Sequence, residues 1–144
     1  IKFAPLLGIG SVVDSAEVDG KPIHFETQIF PEGIQPIVVA KVVRSQTKFD
    51  VHFVPTVELL PPSVETRTGD SDHGLKIFSV RMNGNVMHVE VEGLAGMKYN
   101  LNIVNPDRVE SVSGGKLNGN SIEFTIPPGA ESGFVKHEIS IVTV

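Results

Sequence analysis

The residues best suited to metal binding or catalysis lie in one polar stretch. There, Asp70, Asp72 and His73 bring two carboxylates and an imidazole close together in the sequence. Carboxylate oxygens bind hard cations, and imidazole binds transition metals. Asp70 and Asp72 also resemble the start of a calcium loop. The fifth position of that loop is Gly74 and the twelfth is Arg81, where an EF-hand requires an oxygen ligand and a bidentate Glu. We therefore favour a surface loop without metal and keep these three residues as the candidate metal ligands.

The histidines offer a second source of chemistry, since imidazole binds zinc and acts as a general base. No two of them have the spacing of a local metal-binding pair. His52 and His88 alternate with apolar residues and are expected on polar, solvated strand faces. His137 is in register with Ile139 and Ile141, so its ring is expected inside the fold or at its rim, with one nitrogen bonded to backbone.

Other catalytic signatures are missing from the sequence. It has no G-x-S-x-G elbow, and Gly8-Ile9-Gly10-Ser11 lacks the spacing of a phosphate-binding loop. Zero cysteine removes disulfides, thiolate metal sites and cysteine nucleophiles. Seventeen acidic residues are too many for the sequence to single out a glycosidase pair. The sequence predicts no catalytic residue and no cofactor-binding residue.

Charge and hydropathy limit the partners. A net charge of −5, with no local cluster of Lys and Arg, repels phosphate backbones and predicts no nucleic-acid partner. The longest apolar run, 36–43, is interrupted by Lys41 and is too short to cross a bilayer as a helix. The sequence predicts no membrane span.

The elements that must position these residues are strands. Apolar and polar residues alternate with a period of two, which places apolar side chains on one face of each strand. The apolar series are Phe49, Val51 and Phe53; Phe78, Val80 and Met82; Met87, Val89 and Val91; Met97, Tyr99, Leu101 and Ile103; and Ile122, Phe124 and Ile126. The run 37–40 has no polar face and predicts a central strand covered on both sides.

Turn residues separate the strands. The hairpin signals are Asp19-Gly20, Asn83-Gly84, Gly114-Gly115 and Asn118-Gly119. No window has helical periodicity, although one helical turn near 106–109 is possible. The prediction is an all-β fold, an antiparallel β-sandwich of Ig-like or jelly-roll-like type with roughly ten or more short strands and almost no helix.

The polar stretch 61–74 is the one candidate domain boundary. We favour a single sandwich domain over 1–144, because halves of about 60 to 70 residues would be marginally stable alone. The alternative is two small β subdomains, 1–60 and 74–144, joined by a polar linker. The chain starts at Ile1 without an initiator Met, which we interpret as a fragment of a longer protein.

Aromatic residues bear on sugar binding, which in sandwich modules usually relies on exposed Trp or Tyr rings. The chain has no Trp and one Tyr, Tyr99, which is in the inward register with most of the Phe residues. No aromatic stacking platform is expected.

Several segments resemble a known family. The segments 4–8 (Ala-Pro-Leu-Leu-Gly) and 15–23 resemble the β-strand segments that flank the helical barrel of six-hairpin, rhamnosidase-like glycoside hydrolases. The segments 93–101, 112–120 and 126–129 resemble the C-terminal β-sandwich of the same enzymes. The resemblance covers about half of the chain. It implies an accessory sandwich, because the catalytic acids of those enzymes lie in the barrel, and none is carried over.

Three hypotheses follow. The leading one is a non-catalytic accessory domain that supports or caps a catalytic barrel in a larger, exported bacterial protein, so that its partner is a neighbouring domain of the same polypeptide. The rival is a glycan- or protein-binding module of a bacterial cell-surface protein, with carbohydrate as a candidate partner. The third is a metal-assisted hydrolase that uses Asp70, Asp72 and His73.

Overall fold

A computed structural model describes residues 1–31, 33–41, 45–62, 74–129 and 133–144. These residues form fourteen strands and one short 3-10 helix, and every strand pairing is antiparallel. The predicted all-β class, with many short strands and almost no helix, is confirmed. None of the described helical residues forms a segment long and apolar enough to cross a membrane.

The chain divides into two compact units, Ile1–Thr56 and Val57–Val144. The strands of the first unit are β1 (Lys2–Phe3), β2 (Val12–Val18), β3 (Lys21–Pro22), β4 (Phe25–Phe30), β5 (Gly33–Val39) and β6 (Phe49–Val54). Those of the second are β7 (Glu58–Leu59), β8 (Lys76–Asn83), β9 (Val86–Leu94), β10 (Lys98–Val104), β11 (Val109–Ser113), β12 (Lys116–Asn118), β13 (Ser121–Thr125) and β14 (Phe134–Thr143). The 3-10 helix, Pro106–Arg108, confirms the predicted helical turn.

The first unit contains two three-stranded sheets, ordered β1-β5-β4 and β3-β2-β6. Strand β5 is central, as predicted, and its successive residues Ile37 and Val38 are both buried. Val39 departs from the prediction because it is exposed at the end of the strand. The rings of Phe3 in β1 and Phe49 in β6 stack with centroids 5.1 Å apart, which joins the two sheets.

The second unit contains two four-stranded sheets. We call them sheet I, ordered β12-β13-β10-β7, and sheet II, ordered β11-β14-β9-β8. Both sheets contribute buried side chains to a shared apolar core, which includes Met87, Val89, Val91, Leu101, Ile103, Ile122, Ile139 and Ile141. Two contacts join the sheets directly. Phe124 of sheet I stacks on His137 of sheet II at 5.5 Å, and the Leu94 amide donates a hydrogen bond to Tyr99 Oη at 3.0 Å. The second unit is therefore a sandwich.

Three of the four predicted turns close hairpins. Asn83-Gly84 joins β8 to β9, Asn118-Gly119 joins β12 to β13, and Asp19-Gly20 joins β2 to β3. The prediction for Gly114-Gly115 is wrong, because β11 and β12 belong to different sheets and this pair carries the chain between them. Gly114 has φ +80°, and a Cβ there would meet the carbonyl oxygen of Glu138, so the crossing requires glycine.

Three inward assignments are also wrong, and one of them is Phe53, which is 40% exposed in β6. Phe78 is 54% exposed, because a bulge between Ile77 and Ser79 shifts the alternation of β8. Met97 is 50% exposed, because it precedes β10 in the turn rather than lying in the strand. At Phe78 and Met97, simple alternation fails because it assumes uninterrupted pairing.

Candidate binding site on a sandwich face

The structure describes only some of the site residues that the sequence predicts. Asp70, Asp72 and His73 all lie outside the described residues, so the structure does not test their grouping. Among the residues it does describe, no three His, Cys, Asp or Glu side chains gather in a way that could hold a metal ion. His137 is where the alternation predicted: its ring stacks on Phe124, and its Nε2 donates to the Gly114 carbonyl oxygen at 2.5 Å.

The outward side of sheet II carries a set of charged side chains in contact with one another. We call it the paired face and define it by Arg81, His88, Glu90, Lys136, Glu138 and Ser140. Lys136 Nζ lies 2.6 Å from Glu90 Oε1 and 4.2 Å from the ring centroid of Phe78. His88 Nδ1 lies 3.0 Å from Glu138 Oε1. Both ion-pair contacts link β9 to β14, whose register places Glu90 directly opposite Glu138.

The paired face contains the one serine, histidine and carboxylate set that suggests nucleophilic catalysis within the described residues. Ser140 Oγ lies 3.3 Å from His88 Nδ1, and Glu138 Oε1 lies 3.0 Å from the same nitrogen. A catalytic triad requires the acid on one imidazole nitrogen and the serine on the other, so that a proton passes from serine while the acid orients the ring. With both groups on Nδ1, this arrangement is a set of cross-strand contacts and lacks the geometry that activates a serine.

A depression of about 340 Å³ opens on the paired face, and Arg81, His88, Glu90 and Glu138 contribute to its lining. Both carboxylates of this lining already have partners, since Glu90 pairs with Lys136 and Glu138 contacts His88.

The outward side of sheet I is different in character. We call it the lysine face and define it by Lys98 and Asn100 of β10, Glu123 and Thr125 of β13, and Lys116 of β12. The register places Lys98 opposite Thr125, Asn100 opposite Glu123, and Lys116 opposite Glu123. Since β13 lies between the other two strands, the lysines flank it from either side. These five residues, with Tyr99 and Phe124, line a depression of about 470 Å³.

The lysine side chains of this face have no partner among the described residues. Neither the Lys98 nor the Lys116 ammonium group forms an ion pair or a hydrogen bond there. Glu123 is directly opposite Lys116, but its Oε1 accepts a hydrogen bond from Asn118 Nδ2 at 2.8 Å. Glu58 lies beside Val104 at the far end of β10, about 20 Å from Lys98 along the strand. The depression therefore has a net positive charge in a chain of net charge −5.

Sequence reasoning identified the polar faces of these strands but not the site. Alternation alone places Lys98 and Asn100 outward, and the Asn118-Gly119 hairpin alone places Lys116 opposite Glu123. The missing information was the pairing of β10 with β13, strands separated by β11 and β12 in the chain. No local signal encodes that pairing.

Comparison with protein-family models, curated proteins and solved structures finds no match to this chain.

Proposed function

We propose that the chain is a non-catalytic accessory β-sandwich of a larger, exported carbohydrate-active protein, where it supports or caps a catalytic barrel. The observation that carries the proposal is the contact of Ser140 and Glu138 with a single imidazole nitrogen of His88. The side chains nearest to a catalytic set serve cross-strand pairing instead. The resemblance of 93–101 and 112–120 to terminal sandwiches of six-hairpin glycosidases supports the same role.

The first experiment tests for turnover. The purified chain is incubated with aryl glycosides and aryl esters, beside its His88→Ala and Ser140→Ala variants. We expect product formation at the buffer rate for all three proteins. Turnover by the parent chain that either variant abolishes would reject the proposal.

A second experiment tests the support role in the full-length polypeptide. Deletion of residues 1–144 should lower the thermal midpoint of the remaining protein, because a neighbouring domain loses buried surface. The kcat of the remaining catalytic domain should be retained below its new midpoint. An unchanged midpoint would contradict the support role.

A second candidate function is glycan recognition, and the depression on the lysine face favours it. Its lining combines an amide, a hydroxyl, a carboxylate and two ammonium groups, which together donate and accept hydrogen bonds as sugar hydroxyls require. A glycan array tests this candidate. Signals should weaken when Asn100 and Thr125 are both changed to Ala, and a blank array would reject glycan recognition.

A further inference from the structure

The two lysines of the lysine face differ from Lys136 on the opposite side of the sandwich. Lys136 has both a carboxylate and an aromatic ring within reach, whereas Lys98 and Lys116 have no such partner among the described residues. Two strand spacings and a two-residue offset separate their Cα atoms by about 12 Å. Their flexible stems allow both ammonium groups to approach a ligand seated over β13.

The charges that line the depression determine the sign of the ligand's charge. Two ammonium groups flank the depression, and the one carboxylate in its lining, Glu123, is already hydrogen-bonded to Asn118. Positive groups that line one concave surface attract a counter-ion and repel each other until it binds. The depression therefore favours an anionic group.

The remaining lining residues determine which anion fits. Asn100 and Thr125 donate and accept hydrogen bonds, while Glu123 only accepts them. A sugar hydroxyl donates to such a carboxylate. A phosphodiester group has only acceptors, so it offers no hydrogen-bond donor to Glu123. The ligand therefore combines hydroxyl donors with an acidic group.

We infer that the lysine face binds an acidic oligosaccharide, with a uronate carboxylate placed at Lys98 or Lys116 and sugar hydroxyls at Asn100, Glu123 and Thr125. This inference rests on the glycan-binding candidate and specifies its ligand class.

The experiment compares two ligands with the same sugar rings, one with free carboxylates and one whose carboxylates are neutralised as methyl esters. Binding of trigalacturonate and of its fully methyl-esterified form is measured by isothermal titration calorimetry at low and at moderate salt. The acid form should bind at least about ten-fold more tightly, and its affinity should fall as salt screens the lysines.

Two double variants locate the site. Lys98→Met with Lys116→Met should weaken binding of the acid form about ten-fold or more. The matched control is Lys2→Met with Lys21→Met, two exposed lysines of the first unit. Both variants lower the net charge from −5 by the same two units, so only position differs. The control should bind like the parent chain, and all proteins should share its thermal midpoint within a few degrees.

Each other outcome overturns the inference. Equal binding of acid and ester would leave glycan recognition in place but remove the acidic specificity. Equal loss in the two double variants would indicate a general charge effect. Equally tight binding of a polyphosphate through the same lysines would show an anion site without sugar selectivity. No binding of either trisaccharide, together with a blank glycan array, would reject both the inference and the glycan-binding candidate.

Discussion

The two outward faces of the sandwich have the same strand geometry but differ in how their charges are paired. On the paired face, Lys136 contacts Glu90 and His88 contacts Glu138, each across neighbouring strands. On the lysine face, Lys98 is opposite an uncharged Thr125, and Glu123 opposite Lys116 bonds to Asn118. Lys136, Glu90 and Glu138 of the paired face have cross-strand partners, whereas the ammonium groups of the lysine face have none among the described residues.

This difference has little effect on folding, because both faces lie over one apolar core. Exposed ion pairs contribute between about 0 and 1 kcal/mol each, whereas a buried aliphatic side chain contributes several times more. Stability therefore resides between the sheets.

The largest expected effect comes from truncating one side chain of the shared core. Ile139 is fully buried in β14, and Ile139→Ala should lower the free energy of unfolding by about 2 to 5 kcal/mol through lost burial and a residual cavity. Urea denaturation followed by circular dichroism measures the change. The adjacent outward variant Glu138→Gln is the control and should change stability by less than about 1 kcal/mol. Similar losses in the two variants would contradict a shared core beneath independent faces.

A somewhat smaller loss is expected at Gly93 of β9, which lies against Tyr99 of sheet I. A Cβ at Gly93 would lie 2.6 Å from Tyr99 Cε2 and 3.1 Å from Ile126 Cγ1. Gly93→Ala should therefore destabilise the chain by about 1 to 3 kcal/mol through overpacking. In the Tyr99→Leu background the smaller side chain should relieve the contact, so the two changes should combine less than additively. Full additivity would show that the contact is not the cause.

The core that these variants test was largely predictable from the sequence. Met87, Val89 and Val91 alternate without interruption, and all three are fully buried. The errors lie where pairing is irregular: the bulge that exposes Phe78 and the Gly114-Gly115 crossing depend on neighbouring strands. The lysine face could be predicted only in part, since the hairpin sets Lys116 against Glu123 but long-range pairing brings in Lys98.

Adding a carboxylate opposite Lys98 on the lysine face gives the next largest effect. Thr125 is the register partner of Lys98, so Thr125→Glu places a carboxylate directly opposite that ammonium. Trigalacturonate affinity should fall about ten-fold, because the new carboxylate neutralises Lys98 and repels the ligand. Thr125→Gln controls for size and should retain most of the affinity. Retained affinity in the Glu variant would place the ligand away from Lys98.

The smallest effect is expected from removing the ion pair between Lys136 and Glu90 on the paired face. The Lys136 and Glu90 side chains are 54% and 38% exposed, so water and salt screen their attraction. A double-mutant cycle with Lys136→Met and Glu90→Gln should give a coupling energy below about 1 kcal/mol, and 1 M NaCl should reduce it further. Lys136 also contacts the exposed Phe78 ring, so Phe78→Leu in the same series separates the ring contact from the ion pair. A coupling energy of several kcal/mol would mean that the charges of this face hold the strands together, and the view that stability resides only between the sheets would then fail.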